Sequence, residues 1–188
     1  MLTQTPSQTV GPFFHGGLLA GGENVLVDAQ TQGQRIRIEG AVYDGVGQPV
    51  PDALVEIWQA DALGHFNHPA DEQRAQADPH FRGFGRAGTG QQGQFGFETV
   101  KPGPVGGDQA PHVDVRVFAR GMLIHAMTRL YFANEPANQT DAVLSPIADP
   151  VRRQTLIAAA EPPAGDSVPT YHFDIHLQGE RETVFFEP

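Results

Sequence analysis

The chain has 188 residues, 39% of them hydrophobic, enough for one substantial core, and no linker-like run divides it, so one globular domain is expected. A formal charge of −10, with only 12 Lys and Arg residues scattered along the chain, argues against nucleic acid as a partner, because phosphates would meet net repulsion. The absence of cysteine removes disulfides, thiolate metal sites and Cys nucleophiles together.

The start, MLTQTPSQTVGPFF, has no basic n-region and no apolar h-region, and no run approaches a membrane span. A cytoplasmic protein without membrane association is therefore expected. Residues 1–34 lack regular periodicity and are rich in Thr, Gln, Gly and Pro. Within them Gly11-Pro12-Phe13-Phe14 sets a rigid turn before two large aromatics, which are costly to leave in water. The segment reads as an N-terminal arm that docks on its own sandwich or on a partner chain, ahead of a domain spanning residues 35–188.

Arg35 to Tyr43 alternates, with Ile36, Ile38 and Val42 inward and Arg35, Arg37 and Glu39 outward, the period of a half-buried strand. Asp44-Gly45 and Gly47 turn the chain, and Ala53 to Gln59 forms a second strand that carries the single tryptophan, Trp58. Residues 61–94 read as long surface loops. Phe95 to Phe132 reads as strand, loop, strand, turn, strand. Its loop holds Pro102, Pro104, Pro111, Gly103, Gly106 and Gly107; His112 to Ala119 then alternates, and Leu123 to Phe132 returns through an Arg120-Gly121-Met122 turn. Asp149-Pro150 is an N-cap with proline at the first helical position, which predicts a helix over Val151 to Ala160. Tyr171 to Leu177 and Thr183 to Phe186 are the last strands. The sum is an all-β, single-domain β-sandwich with long loops, the N-terminal arm and one short helix.

His112 and Asp114 share one strand face, about 6–7 Å apart, and His172, Asp174 and His176 repeat the pattern. The outer two of that trio stand about 13 Å apart, too far to share one ion. Solvated polar residues on a strand's outer face give the same alternation, so further ligands would be needed for a metal site. No G-x-S-x-G elbow, P-loop or H-E-x-x-H occurs.

The runs TPSQTVGPFF, EGAVYDGVGQPVPDALVEIWQAD, TVKPGP, APHVDV, FARG, TRLYF and FDIHLQGERETVFF, in this order, resemble the intradiol ring-cleaving dioxygenases over nearly the whole chain. The match is to the α chains that pair with homologous β chains of the same β-sandwich fold. The resemblance implies ferric iron, Fe(III), held by two tyrosines and two histidines, and opening of protocatechuate by dioxygen to 3-carboxy-cis,cis-muconate. At the positions of those ligands this chain has Phe66, Val105, His112 and Asp114, so one of the four remains. Phe and Val carry no donor, and ferric iron depends on anionic oxygen. An arginine that precedes the histidine strand in catalytic chains is also missing, with Gln109 nearest. The resemblance therefore implies a subunit with no metal ligands and no catalytic residues of its own, in a higher-order α/β hetero-oligomer whose β chain carries the iron.

In the resembling α chains, the arginine of the FARG run and the Thr-x-Gly-Pro segment line the β chain's substrate pocket. Here these are Arg120 and Thr9, Gly11 and Pro12. Two other readings stay open: a catalytically silent sandwich that scaffolds an assembly or binds a ligand, and a separate metalloenzyme built on His112 and Asp114.

Overall fold

A computed structural model of the chain describes residues 4–11, 13–161, 165 and 167–187, the side chain of His15 excepted. Among these residues nine strands form: β1 (Arg35–Tyr43), β2 (Leu54–Trp58), β3 (Phe84–Gly88), β4 (Gln94–Val100), β5 (His112–Phe118), β6 (Ala126–Phe132), β7 (Ile157–Glu161), β8 (Thr170–His172) and β9 (Ile175–His176). Two one-turn helices, α1 (Phe14–Leu18) and α2 (Pro150–Gln154), accompany them. The strands run in the order β3-β2-β5-β6-β7-β8-β1-β4, with β9 beside β1. The sheet folds over on itself, and its two halves face one another as a sandwich.

The alternation in the sequence explains the facing surfaces. Val113, Val115 and Val117 of β5 and Val55 and Ile57 of β2 pack against Ile36 and Ile38 of β1 and Phe95 and Phe97 of β4 in one buried core. Leu26, fully buried, joins this core, and its amide donates to the Glu98 carbonyl at 2.9 Å. A second, smaller cluster of Ala110, Tyr131, Leu144 and Leu156 lies beside it. β2 is buried on both faces except at Trp58, and Glu56 is satisfied there by Arg86 across the ladder at 2.6 Å. No helix among the described residues is long and apolar enough to cross a membrane.

Several expectations change. The helix predicted to Ala160 stops at Gln154, although Asp149 caps it by accepting from the Val151 and Arg152 amides. Residues 157–161 become β7, because Ile157 and Ala158 pair with Tyr131 and Phe132 of β6; the partner strand overrides helix propensity. The stretch 61–94 contains β3, whose glycine-rich FGRAG carries little hydrophobic pattern. The strand predicted over Tyr171 to Leu177 is split into β8 and β9, and residues 183–186 contribute a single bridge, Met127 to Phe186. At the split, the Phe173 carbonyl presses on Gly40 so closely that no Cβ fits there, and Asp174 Oδ1 accepts from the Ala41 amide at 3.0 Å.

Candidate functional site

Side chains of chemical interest gather at the two ends of the β5–β6 hairpin. At its base, the register sets Asp114 opposite Arg129 and His112 opposite Tyr131. Arg129 Nε donates to Asp114 Oδ1 at 2.8 Å, and Nη1 donates to Gln109 Oε1 at 2.9 Å. Gln109 exchanges backbone hydrogen bonds with Val105, which folds the 101–111 loop onto the hairpin base. On its other side Asp114 lies opposite Trp58, and Phe66 stacks on that indole with ring centroids 5.6 Å apart. Phe66, Val105, His112 and Asp114 are thus joined into one neighbourhood through Trp58, Gln109 and Arg129.

The electrostatics of that neighbourhood are settled internally. His112 is buried, and its Nδ1–H donates to the Ala110 carbonyl at 2.7 Å. Burial, with the adjoining Arg129 charge, pushes the imidazole pKa below its ordinary value. Tyr131 is fully buried and donates to Asp141 Oδ1 at 3.0 Å, and burial pushes its phenol pKa up. Asp141 also accepts from the Ala110, Val143 and Leu144 amides. Although burial opposes it, these amides hold its carboxyl below the usual range. Burial likewise opposes the Arg129 charge, yet Tyr131 and Asp114 beside it keep the guanidinium pKa above its ordinary value.

These residues do not fit a ferric ion. Phe66 and Val105 offer no donor, the Asp114 carboxylate is engaged by a guanidinium, and the phenol at hand is a neutral donor rather than a phenolate. His112 is left as a single nitrogen. The second pattern does not converge either: His172 Nε2 meets Glu161 at 2.7 Å, Asp174 holds the Ala41 amide, and His176 stacks on Tyr43 at 4.9 Å. Among the described residues no group of three or more His, Asp or Glu is arranged to hold a metal ion.

At the hairpin tip the arm meets the turn. The Gly121 amide donates to Thr9 Oγ1 at 2.8 Å, and Gly121 takes the left-handed backbone, φ 87°, that the turn requires. The Phe14 amide closes a turn on the Gly11 carbonyl at 3.1 Å. The Phe14 ring packs on Phe118 at 5.5 Å, and Phe118 on His125 at 5.2 Å. A cavity of about 320 Å³ lies between arm and turn, lined by Gln8, Val10, Phe14, Phe118, Leu123 and Ile124 among others. Leu123 and Ile124, which line it, stand 63% and 60% exposed, and Phe13, the neighbour of Phe14 in the chain, 87%. Arg120 projects from the tip with its Nε against the Asp52 carboxylate.

Of the residues picked out by sequence, Thr9 and Arg120 are thus brought to one place. Gly11 lies two residues along the arm, and Pro12 lies outside the described residues. Phe14 is docked, whereas Phe13 is not. Sequence reasoning missed Arg129 and Asp52, both of which cross-strand register would have exposed. Asp52 precedes Leu54 by two residues as Arg120 follows its partner Phe118 by two.

Comparison with known proteins agrees with this architecture. The family model for dioxygenases, Dioxygenase_C, matches residues 10–179. The protocatechuate 3,4-dioxygenase alpha chain of Burkholderia cepacia is 41% identical, over 99% of this chain and 98% of its own length. The beta chain of that enzyme, from the same organism, is 30% identical over 86% of this chain and 72% of its own length. Among solved structures, the dioxygenase domain of a dioxygenase and carbohydrate-binding protein fusion from Streptomyces sp. SirexAA-E superposes with a TM-score of 0.66 at 27% identity, covering 94% of this chain and 99% of that one. On the strength of the family match and the full-length relative, the chain belongs to the intradiol dioxygenase family.

Proposed function

We propose that this chain is the iron-free α partner in a protocatechuate 3,4-dioxygenase, and that with dioxygen the heteromer opens protocatechuate to 3-carboxy-cis,cis-muconate. The Fe(III) that activates the ring is held by a homologous β chain, and this chain walls and charges part of the pocket in which the ring sits. The full-length likeness to an α chain and the weaker likeness to a β chain support this reading. At the hairpin base, the Asp114 carboxylate is engaged by the Arg129 guanidinium.

One observation carries the reading: the Gly121 amide donates to Thr9 Oγ1, so Thr9 of the N-terminal arm lies beside the turn that bears Arg120. That corner also shows Phe13, Leu123 and Ile124 to solvent, an apolar rim around a cation. Such a surface suits a partner chain that buries rings and presents an anionic substrate. Thr9, Gly11, Pro12 and Arg120 are the residues assigned to the pocket wall, with Arg120 for the carboxylate of protocatechuate. Cytoplasmic residence belongs to the same reading, since neither the fold nor the partner contact depends on a disulfide.

The test is co-expression with the β homologue. The chain alone is expected to be colourless and free of iron, and the pair to form a stable α/β assembly by native mass measurement with ring-cleaving activity. Stoichiometric iron with a tyrosinate absorption band in the isolated chain, or a monomer indifferent to the β homologue, contradicts the proposal. The pairing of Arg120 with Asp52 favours one second reading, in which the tip only scaffolds the assembly. Kinetics of an Arg120 variant separate the two.

A further inference from the structure

Arg120 is the only cation at the hairpin tip that touches a carboxylate, among the described residues, and that carboxylate has a definite origin. β2 and β5 are antiparallel with Leu54 opposite Phe118. Extending that register past both strand ends sets Asp52 across from Arg120, and the Arg120 Nε does lie against Asp52 Oδ2. The two partners differ in freedom. The Asp52 side chain is 15% exposed and the Arg120 side chain 58%. Asp52 is also fixed from behind: the Ala53 amide donates to Thr89 Oγ1 at 2.9 Å, and Thr89 Oγ1 donates to the Val50 carbonyl at 2.7 Å. The turn that carries the carboxylate is therefore tied to β3's end, whereas the guanidinium stem is mostly exposed.

We infer that Asp52 is the positioning residue for Arg120, holding the Nε edge of its guanidinium so that the remaining N–H groups point out of the tip toward the carboxylate of an aromatic acid. This rests on the proposed role of Arg120 in the pocket wall. A guanidinium suits the task because it is planar with five donors, so that one edge can be held while another binds a second carboxylate. Removing Asp52 has two opposed effects. It withdraws a negative charge near the site, but on the exposed outer side of Arg120, where the substrate carboxylate would bind, water and salt screen that gain. It also frees a long side chain that must then be ordered each time substrate binds, and this cost prevails.

The test uses the iron-loaded α/β heteromer with protocatechuate and with catechol, the same ring without a carboxylate. Asp52→Asn is expected to raise KM for protocatechuate roughly three- to tenfold, leave kcat unchanged and leave KM for catechol unchanged. Asp52→Glu, which returns the charge one methylene further out, is expected to recover part of the loss. In an Arg120→Ala background, Asp52→Asn should add nothing. If Arg120→Ala raises KM and Asp52→Asn does not, or lowers it, the positioning role is wrong while the pocket role stands. If Arg120→Ala itself changes nothing, the underlying reading fails. An Asp52→Asn chain that no longer assembles with its partner also overturns the inference, because Asp52 would then hold the fold rather than Arg120.

Discussion

Thr9 and Gly121, 112 residues apart in the chain, are joined by one hydrogen bond of 2.8 Å from the Gly121 amide to the Thr9 hydroxyl. The bond fastens an arm without regular periodicity to the tip of the best-defined hairpin in the molecule. It is also partly exposed, so it contributes modestly. Replacing Thr9 by Val should cost about 0.5–1.5 kcal/mol of arm docking. Hydrogen exchange at the Gly121 amide should accelerate while amides in β5 stay protected, and equal protection of Gly121 in the variant would show that the arm is held by something else.

Arg129 and Asp114 are expected to behave as a coupled, half-buried ion pair. Arg129→Leu leaves the carboxylate unpaired and should destabilise the chain by roughly 1–3 kcal/mol, whereas the Arg129→Leu, Asp114→Leu double variant should lose less than the sum of the two single changes. Urea unfolding of the four proteins measures this. Additive losses would mean that the pair shown by the structure carries no coupling energy.

The same guanidinium bears on any attempt to build an iron site. A chain with Phe66→Tyr, Val105→Tyr and Asp114→His would regain the family's ligand set around His112 but would keep a cation beside it. Such a triple variant should stay colourless, and adding Arg129→Gln should permit ferric binding with a tyrosinate band, because like charges within a few ångströms repel strongly in a partly dry site. Iron uptake by the triple variant would refute this account of the hairpin base.

His112 predicts a pH dependence. Its folded pKa lies below the ordinary imidazole value of about 6.5, so the folded state binds fewer protons than the unfolded chain. Stability from this residue is present above about pH 6.5 and is lost as pH falls below it, toward the folded value. His176 is shifted the same way by burial and by Arg181, so His112→Phe should reduce the slope of stability between pH 7 and pH 5.5 without abolishing it. An unchanged slope would show that folding does not shift the pKa of His112.

Gly40 tests the packing of β1 against the chain beside it in the same sheet. With the Phe173 carbonyl against its Cα and the Phe95 ring beyond, Gly40→Ala should cost about 1–3 kcal/mol through overpacking. A variant with unaltered thermal midpoint would mean that the strand break at 173–174 yields easily.

Much of this was legible in the residues. The alternation of β1 and β5 gave away their inward faces, and Asp149-Pro150 located the N-cap of α2. What failed was whatever depends on a partner strand. Residues 157–161 look helical until β6 is beside them, and Phe173-Asp174 looks like mid-strand until the Gly40 contact forces a break. The hairpin shows the same limit. A three-residue turn would put Thr128 opposite Asp114, but the connection runs from Ala119 to His125 and places Arg129 there instead. A slip of one residue exchanges the two faces of a strand, so the cation opposite Asp114 could not be seen without the register.

The most direct test of the account is steady-state kinetics of an α/β heteromer carrying Arg120→Ala, with iron occupancy measured on the same sample. One lost charge-assisted contact to the substrate carboxylate should lower kcat/KM for protocatechuate by about ten- to a hundredfold at full iron. An unchanged kcat/KM at full iron would contradict it and leave this chain a scaffold.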